Sequence, residues 1–166
     1  MPDYVIRLAT LADAEPIRAI YNYYVAHSTC TYQIEPETAE ERVAWLRDRA
    51  PRHPVTVAVE GDTILAWASL SPWKSRCGYA EAAEASVYVH HEHQRRGLGR
   101  ALLLDLIARG RAAGLHTILG GASSDQTASL ALQLALGFRV CGEMKEVGIK
   151  FGRRLDVTYT QFMLRE

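Results

Sequence analysis

This 166-residue chain has few cysteines, no long apolar run and no excess of charge of either sign, and each of these features excludes a class of protein. The three cysteines, Cys30, Cys77 and Cys141, are odd in number and widely spaced. This spacing excludes a disulfide-framed secreted scaffold and favours free thiols in a reducing cytoplasm. No apolar run approaches the roughly 20 residues of a membrane span, and the chain does not open with the basic and then apolar pattern of a signal peptide. We therefore expect a cytoplasmic protein.

Positive and negative charges balance. Lys and Arg total 19, as do Asp and Glu, so the formal net charge is +0. Because nucleic acids and anionic membranes attract basic surfaces, we expect neither as the main partner. Hydrophobic residues make up 48% of the chain, and no repeat, low-complexity stretch or linker marks an internal boundary. We predict a single domain over residues 1–166.

The most informative stretch is Gln94-Arg95-Arg96-Gly97-Leu98-Gly99, which lies between a predicted strand at 85–89 and a predicted helix at 98–113. Two glycines let the backbone turn so that several N–H groups point the same way, at the positive end of the helix dipole. Arg95, Arg96 and Arg100 add positive charge at the same place. This arrangement predicts a phosphate-binding loop, with an ordinary tight turn as the alternative.

Two common phosphate-binding motifs fit the loop poorly. A P-loop requires Lys followed by Ser or Thr after its last glycine, and here Arg100-Ala101 follows. A dinucleotide fingerprint requires a third glycine where this chain has Leu102. The loop therefore belongs to neither class.

The remaining pattern alternates strands and helices. Helices are expected from Asp13 towards Tyr24, after the Thr38-x-x-Glu41 capping box, and over 128–136 before Gly137. Further strands are expected at 4–8, 55–59, 64–70, 116–119, 138–144 and 157–163. With the strand and helix around the glycine turn, the sequence predicts a mixed α/β (α+β) sheet of about seven strands flanked by about four helices.

This order resembles the GCN5-related N-acetyltransferase (GNAT) superfamily over nearly the whole chain. The loop pattern Gln-x-x-Gly-x-Gly is similar to the acyl-CoA pyrophosphate loop of that superfamily. Further stretches resemble its phosphinothricin and methionine sulfoximine N-acetyltransferase branch: Ile20-Tyr21-Asn22, residues 84–89, Ala128-Ser129-Leu130, Leu136-Gly137-Phe138, and residues 148–156 with Lys150-Phe151-Gly152-Arg153.

The resemblance implies a central sheet that splays between the fourth and fifth strands, with acetyl-CoA as co-substrate in the gap and no metal. It implies that the fourth strand pairs with pantetheine and that the loop holds the pyrophosphate. The implied cofactor-binding residues are Val87, Tyr88, Val89, Arg95, Arg96, Gly97, Leu98, Gly99, Arg100, Gln126 and Ser129.

Amide formation from a thioester requires a neutral amine, so the site needs a proton acceptor. The resemblance places a general base at Glu84, and an exposed strand-end Glu is the alternative. Glu81 is a competing carboxylate. A strand N–H near Val89 is expected to stabilise the charge on the thioester oxygen. The amine attacks the thioester directly, so no cysteine has to act.

Two departures from the family pattern matter for the chemistry. Gln126 stands where relatives usually carry Asn, and Gln133 stands where they usually carry His or Tyr to protonate the leaving thiolate. An amide donates hydrogen bonds but is not a useful acid near neutral pH. Because a thiol has a pKa of about 8.5, the thiolate is a tolerable leaving group. We predict slowed rather than abolished transfer.

The resemblance implies an amino-acid-like amine, whose anionic groups require cationic or N–H partners. The candidate substrate-binding residues are Lys74, Arg76, Cys77, Gly78, Tyr79 and Tyr21. Cys77 replaces the usual acidic residue and Arg154 replaces a common Trp, which makes a shifted substrate preference plausible. Tyr21, Tyr24 and Trp73 are candidates for the wall of the amine pocket, and core packing is the alternative for the two tyrosines.

Other interpretations remain open. In the first interpretation, the protein acetylates a phosphinothricin- or methionine sulfoximine-like amino acid. In the second, it acetylates another amine, such as a peptide N-terminus or a polyamine. A non-catalytic acetyl-CoA sensor is the third. His90, His91, His93 and Glu92 suggest a metal, but no distant Cys or His pair completes a site, so we expect loop histidines. The resemblance also implies a homodimer.

Overall fold

A computed structural model describes residues 3–165 of the chain. Seven strands form one sheet in the order β1-β2-β3-β4-β5-β7-β6, and four α-helices accompany them. The strands are β1 (Val5–Leu8), β2 (Val55–Glu60), β3 (Thr63–Pro72), β4 (Ala82–Val89), β5 (Thr117–Ser123), β6 (Arg139–Lys150) and β7 (Arg153–Met163). The helices are α1 (Ala14–His27), α2 (Ala39–Arg47), α3 (Leu98–Ala112) and α4 (Thr127–Ala135). The predicted fold class is confirmed.

Two clusters of apolar side chains cover the two faces of the sheet. One contains Leu102 and Leu106 of α3 and is continued by Ala83, Ala85 and Val87 of β4. The other contains Ile17 and Ile20 of α1 with Trp67 of β3, and Tyr88 of β4 packs against it. Since neighbouring residues of a strand point to opposite faces, Glu84, Ser86 and Tyr88 share the face of β4 that points towards α1.

Of the two N-terminal helix caps predicted from the sequence, the one at Thr38 forms and the one at Asp13 does not. Thr38 and Glu41 form the predicted capping box, with Glu41 N–H donating to Thr38 Oγ1 at 3.2 Å and Thr38 N–H donating to Glu41 Oε2 at 2.8 Å. Asp13 does precede α1, but its side chain does not cap that helix. Its carboxylate instead accepts from Arg7 at 2.7 and 2.9 Å and from the Thr10 N–H at 2.7 Å, because a charged partner outcompetes the helix end.

Most predicted strands were shorter than the observed ones, and β5, β6 and β7 differ most. β5 does not end before Gly120 and Gly121 but continues to Ser123, because β7 pairs with it along its whole length from Thr117 to Ser123. Likewise β6 continues to Lys150 and β7 already begins at Arg153, because these two residues pair with each other. Phe151 and Gly152 form the tight turn with φ of 51° and 70°, a conformation suited to a two-residue hairpin.

The described residues 3–165 include no helix that is both long and apolar enough to cross a membrane. All three cysteines are free thiols, as expected. Cys77 and Cys141 are exposed, whereas Cys30 is partly buried.

Candidate active site

The sheet opens between β4 and β5. These parallel strands pair only from Ala82 with Thr117 to Glu84 with Leu119, and beyond Glu84 they separate. The predicted splay is therefore present, and it begins at the predicted base. A cavity of about 630 Å³ occupies the opening.

The cavity reaches both faces of the sheet. Of the predicted residues, it is lined by Glu84, Val87, Tyr88 and Ser129, and also by Gln133. Its other contributors come from β4, from the segment 29–34, from β5 and from the β6–β7 hairpin: Ala85, Ser86, Thr29, Cys30, Thr31, Tyr32, Ile34, Gly120, Gly121, Ala122, Ser123, Val147, Gly148, Ile149, Val157 and Tyr159. Leu103, Leu132 and Phe138 close it on the α3–α4 side.

The backbone of β4 has free hydrogen-bonding groups along the opening. His90 N–H donates to Leu65 O at 2.8 Å, and Trp67 lies opposite Tyr88, so the backbone of Tyr88 points towards β3. By the same alternation the N–H and C=O groups of Val87 and Val89 point into the gap. The Tyr24 hydroxyl donates to the Val89 carbonyl. Among residues 3–165 the backbone groups of Val87 and the Val89 N–H therefore have no partner and remain available to an extended ligand, whereas Tyr88 contributes its side chain.

Glu84 has the surroundings of a base. Within residues 3–165 no side chain hydrogen-bonds to its carboxylate or forms an ion pair with it. Burial raises its pKa above the usual value for Glu. Gly121 leaves room beside it, since a Cβ at that position would lie 3.8 Å from Glu84 Oε1 and 3.4 Å from Tyr159 Cε1. A half-buried, unpaired carboxylate of raised pKa is suited to accepting a proton near neutral pH.

The predicted phosphate loop has the expected conformation. Gly97 is left-handed with φ of 79°, Arg95 has φ of 60°, and α3 begins at Leu98. Gly99 lies close to the cavity, because a Cβ there would contact Leu132 at 3.3 Å. Arg96 forms an ion pair with Glu60 at 2.6 Å. Arg95 and Arg100 take part in none of the ion pairs found among residues 3–165, so their charges remain available at the loop.

The start of α4 contacts the cavity wall on the opposite side of the gap. Gln126 precedes the helix, and its Nε2 donates to Thr29 Oγ1 at 2.8 Å. Ser129 accepts a hydrogen bond from Gln133 Nε2 at 3.3 Å. The longer side chain of Gln126 is thus used to hold the segment that contains Thr29.

The predicted substrate residues of the β3–β4 loop are not part of the main cavity. Lys74, Arg76 and Tyr79 line a second pocket of about 540 Å³, together with Ser75. Cys77 and Gly78 are exposed beside them. The loop itself contacts the main cavity wall, since Trp73, the residue before Lys74, packs edge-on against Tyr159 with ring centroids 5.6 Å apart.

Tyr21 lies behind the cavity rather than in its lining. Its ring packs against Trp67 and Tyr88 at centroid distances of 6.1 and 5.3 Å. Its hydroxyl lies 2.9 Å from Thr31 Oγ1, and Thr31 lines the cavity. Tyr21 therefore supports the wall from the core side.

The sequence did not reveal the wall formed by residues 29–34, which has no regular secondary structure. Polar contacts to distant residues hold it in place: Thr29 Oγ1 donates to Asp125 at 2.5 Å, and the Tyr32 hydroxyl donates to Ser123 Oγ at 3.0 Å. No local pattern announces such a segment, because its partners lie about ninety residues away in the chain. Only the tertiary fold creates this wall.

Lys150 also supports the cavity wall, although the sequence pointed to it only as part of the Lys150-Phe151-Gly152-Arg153 motif. Its side chain is 4% exposed, and Nζ donates to Thr31 O at 2.7 Å and to Tyr24 O at 3.5 Å. Burial lowers its pKa. The lysine attaches the β6–β7 hairpin to the cavity wall and to the end of α1.

The histidine-rich stretch forms the group among residues 3–165 that could hold a metal ion. The ligand atoms of His90, His91 and Glu92 lie within 4.8 Å of one another. The rings already serve other contacts: His91 stacks on Tyr23 at 3.9 Å, and His90 Nδ1 accepts the Glu92 N–H at 3.3 Å. The absence of a metal stays a prediction.

Residues 17–138 match the sequence profile of the acetyltransferase (GNAT) family. The chain belongs to this family. The match covers the opening, the glycine turn and α4, which are the elements that the sequence had assigned to the family.

Similar proteins of known activity indicate the branch of the family to which this chain belongs. An L-amino acid N-acyltransferase, MnaT of Escherichia coli K12, is 41% identical over 162 residues, which cover 97% of this chain and 94% of the relative. The L-methionine sulfoximine/L-methionine sulfone acetyltransferase of Salmonella typhimurium LT2 is 40% identical over 97% and 95%. A phosphinothricin N-acetyltransferase of Streptomyces coelicolor is 35% identical over 93% and 92%. The predicted branch is confirmed.

A solved structure supports the fold. The acetyltransferase yncA from Salmonella typhimurium, solved with its cofactor acetyl-CoA, superposes with a TM-score of 0.95. It is 39% identical in sequence, and the match covers 99% of this chain and 95% of that one. The GNAT fold is therefore shown by sequence and structure together.

Proposed function

We propose that this protein transfers the acetyl group of acetyl-CoA to the α-amine of a phosphinothricin- or methionine sulfoximine-like amino acid. The observation that carries the proposal is the position of Glu84, an unpaired, half-buried carboxylate at the point where β4 and β5 separate. The names of relatives at 35–41% identity support the substrate class.

The chain's own residues fit acetyl-CoA. An extended pantetheine suits the free backbone groups of Val87 and Val89 on the open side of β4. The N–H groups around Gly97 and the start of α3 suit a pyrophosphate, as do the charges of Arg95 and Arg100. The Val89 carbonyl already accepts a hydrogen bond from the Tyr24 hydroxyl. The Val89 N–H is the proposed donor to the thioester oxygen.

Glu84 accepts the amine proton, directly or through one water, as the amine attacks the thioester carbon. Its raised pKa brings it closer to the pH at which an α-ammonium loses a proton. The cations Lys74 and Arg76 lie on the loop joined to the cavity by the Trp73–Tyr159 contact, and they are the proposed partners of the substrate's anionic groups. The same cations disfavour a polyamine.

Two further properties are part of the proposal. We place the reaction in the cytoplasm, which suits three free thiols. We also propose a homodimer, because the edge strand β6 exposes large apolar side chains that a second copy would bury: Val140, Met144, Val147 and Ile149. Sedimentation analysis tests the dimer, and a monomer throughout the micromolar range would contradict it.

Thiol release from acetyl-CoA tests the function directly. L-phosphinothricin and L-methionine sulfoximine are compared with polyamines and a peptide with a free N-terminus. Saturable release with the two amino-acid analogues supports the proposal, and release with only the other amines replaces it with the second interpretation. Measurable CoA binding without thiol release from any amine would favour the sensor.

A further inference from the structure

Gln133 is held in one orientation at the wall of the cavity. The residue is 7% exposed, and the fully buried Thr160 donates its hydroxyl hydrogen to Gln133 Oε1. The amide nitrogen donates to Ser129 Oγ at 3.3 Å, and its second N–H has no partner among residues 3–165. Gln133 lines the cavity, and because its oxygen is occupied by Thr160, the hydrogen-bonding capacity that its amide has left among residues 3–165 is the second N–H donor.

Gly120 provides the space for this arrangement. A Cβ at Gly120 would overlap Gln133 Oε1 and lie 2.8 Å from Thr160 Oγ1. The contact between Thr160 and the amide therefore depends on the missing side chain. Three residues, from β5, α4 and β7, together fix the direction of one N–H donor.

The donor lies across the sheet from the base. Gly120 and Gly121 are neighbours in β5 and so point to opposite faces. Gly120 faces Gln133 and Thr160, whereas Gly121 faces Glu84 at 3.8 Å. Glu84 and Gln133 thus flank the opening from its two sides. If the amine approaches Glu84 from one face, as the proposed reaction requires, the opposite face with Gln133 is left for the CoA sulfur.

We infer that the Gln133 amide donates a hydrogen bond to the CoA thiolate as it leaves, and that Thr160 is the positioning residue that orients this donor. The inference rests on the proposed acetyl transfer. The amine nitrogen forms the C–N bond, the C–S bond breaks, and its electron pair stays on sulfur. The amine proton passes to Glu84. The sulfur departs as thiolate and takes its proton from solvent, because an amide has none to give.

Steady-state kinetics on the whole protein test the donor. Hydrogen bonds to charged groups are worth about 1.5–3 kcal/mol, so Gln133→Leu is expected to lower kcat roughly 10- to 100-fold, with the KM for acetyl-CoA little changed. Thr160→Val should lower kcat in the same way but less, and Thr160→Ser should restore it. Thr158→Val makes the same change on the same strand, outside the cavity lining, and should leave kcat unchanged.

The pH profile separates a catalytic donor from a structural residue. The wild type should show no fall in kcat at alkaline pH, because its donor does not titrate. Gln133→His should retain kcat near neutral pH and introduce an alkaline fall as the imidazolium is lost. A Gln133→His profile identical to that of the wild type would overturn the inference.

The remaining outcomes are distinct. Wild-type turnover together with unchanged kcat in Gln133→Leu and Thr160→Val would overturn this inference and leave the proposed function standing. Thiol release from no amine by the wild type would overturn both. If Gln133→Leu does not fold, the comparison of Thr160→Val with Thr160→Ser decides.

Discussion

The hydroxyl of Tyr24 on α1 donates to the carbonyl oxygen of Val89 at the end of β4. The same hydroxyl oxygen accepts a hydrogen bond from Gln94 Nε2 at 2.9 Å. One side chain therefore connects α1, the strand proposed to pair with pantetheine, and the first residue of the glycine loop. Burial raises the pKa of Tyr24, so its hydroxyl remains protonated and able to donate at any pH suitable for assay.

Tyr24→Phe should weaken the binding of acetyl-CoA. The change removes both hydrogen bonds but keeps the ring, so the Val89 carbonyl and Gln94 lose their common anchor. At about 0.5–1.5 kcal/mol for a hydrogen bond, the KM for acetyl-CoA should rise roughly 2- to 10-fold, with kcat little changed. Tyr23→Phe is the matched control, since the Tyr23 ring stacks on His91 and its hydroxyl forms no hydrogen bond among residues 3–165. An unchanged KM in Tyr24→Phe would contradict the link.

Glu84→Gln should abolish most of the activity. A positioned general base contributes about 10²- to 10⁴-fold, so kcat should fall by at least roughly 100-fold. Because burial raises the pKa of Glu84, wild-type kcat/KM should rise with pH through this raised value, and that limb should vanish in the variant. Turnover that is untouched in Glu84→Gln would exclude this residue as the base and return attention to Glu81.

The same substitution should stabilise the folded protein. A carboxyl whose pKa is raised by folding makes the native state less stable above that pKa, where the group is charged in both states but buried in only one. The penalty is absent below the unfolded pKa of about 4.3. Glu84→Gln should therefore raise Tm at pH 7 and leave it unchanged near pH 3, as measured by calorimetry. An equal Tm at pH 7 would show that the carboxylate is well solvated.

Gly97→Ala should weaken acetyl-CoA binding through backbone strain alone. Gly97 has φ of 79° with nothing within 4 Å of an added Cβ, so the change introduces strain without a clash. The left-handed conformation costs a non-glycine residue about 1–2 kcal/mol. Gly61→Ala is the matched control: it has φ of 56°, equally open space and a place in the β2–β3 turn. Both variants should lose similar stability, but only Gly97→Ala should raise the KM for acetyl-CoA.

The glycine turn could be predicted because its signals are local, whereas the role of Glu84 was taken from the family resemblance and stays a prediction. The strand, the two glycines and the helix follow one another directly within residues 85–113, and the Thr38–Glu41 box is a four-residue pattern. The strand extensions could not be predicted in this way. Gly120 and Gly121 disfavour a strand by propensity, and only their pairing with Thr160 and Tyr159 of β7 keeps them in one.

The wall of the cavity escaped prediction for a related reason. Residues 29–34 have neither helical nor strand periodicity, and their order comes from Asp125, Ser123 and Lys150, which are distant in sequence. The orientation of Gln133 is also a tertiary property. The sequence identified Gln133 as a departure, but the direction of its amide depends on Thr160 and on the missing side chain of Gly120.

Gly148→Ala should impair the amine side of the site. An added Cβ would lie 2.5 Å from Tyr32 Cζ and 2.8 Å from Tyr32 Cδ1, so the ring has to move. That movement breaks the 3.0 Å hydrogen bond from the Tyr32 hydroxyl to Ser123 Oγ. Ser123 and Gly121 lie on the same face of β5, and Gly121 is next to Glu84 of β4. We expect the KM for the amine to rise roughly tenfold, with a loss of about 1–3 kcal/mol in stability from overpacking.

Gly142→Ala on the same strand is the control for that change, because a Cβ there meets nothing within 4 Å. It should leave both KM values and Tm close to wild type. The KM for acetyl-CoA should also be unaffected in Gly148→Ala, since Tyr32 lies on the amine face and pantetheine is proposed to follow β4. Equal increases in both KM values would mean that Tyr32 supports the whole cavity rather than the amine pocket.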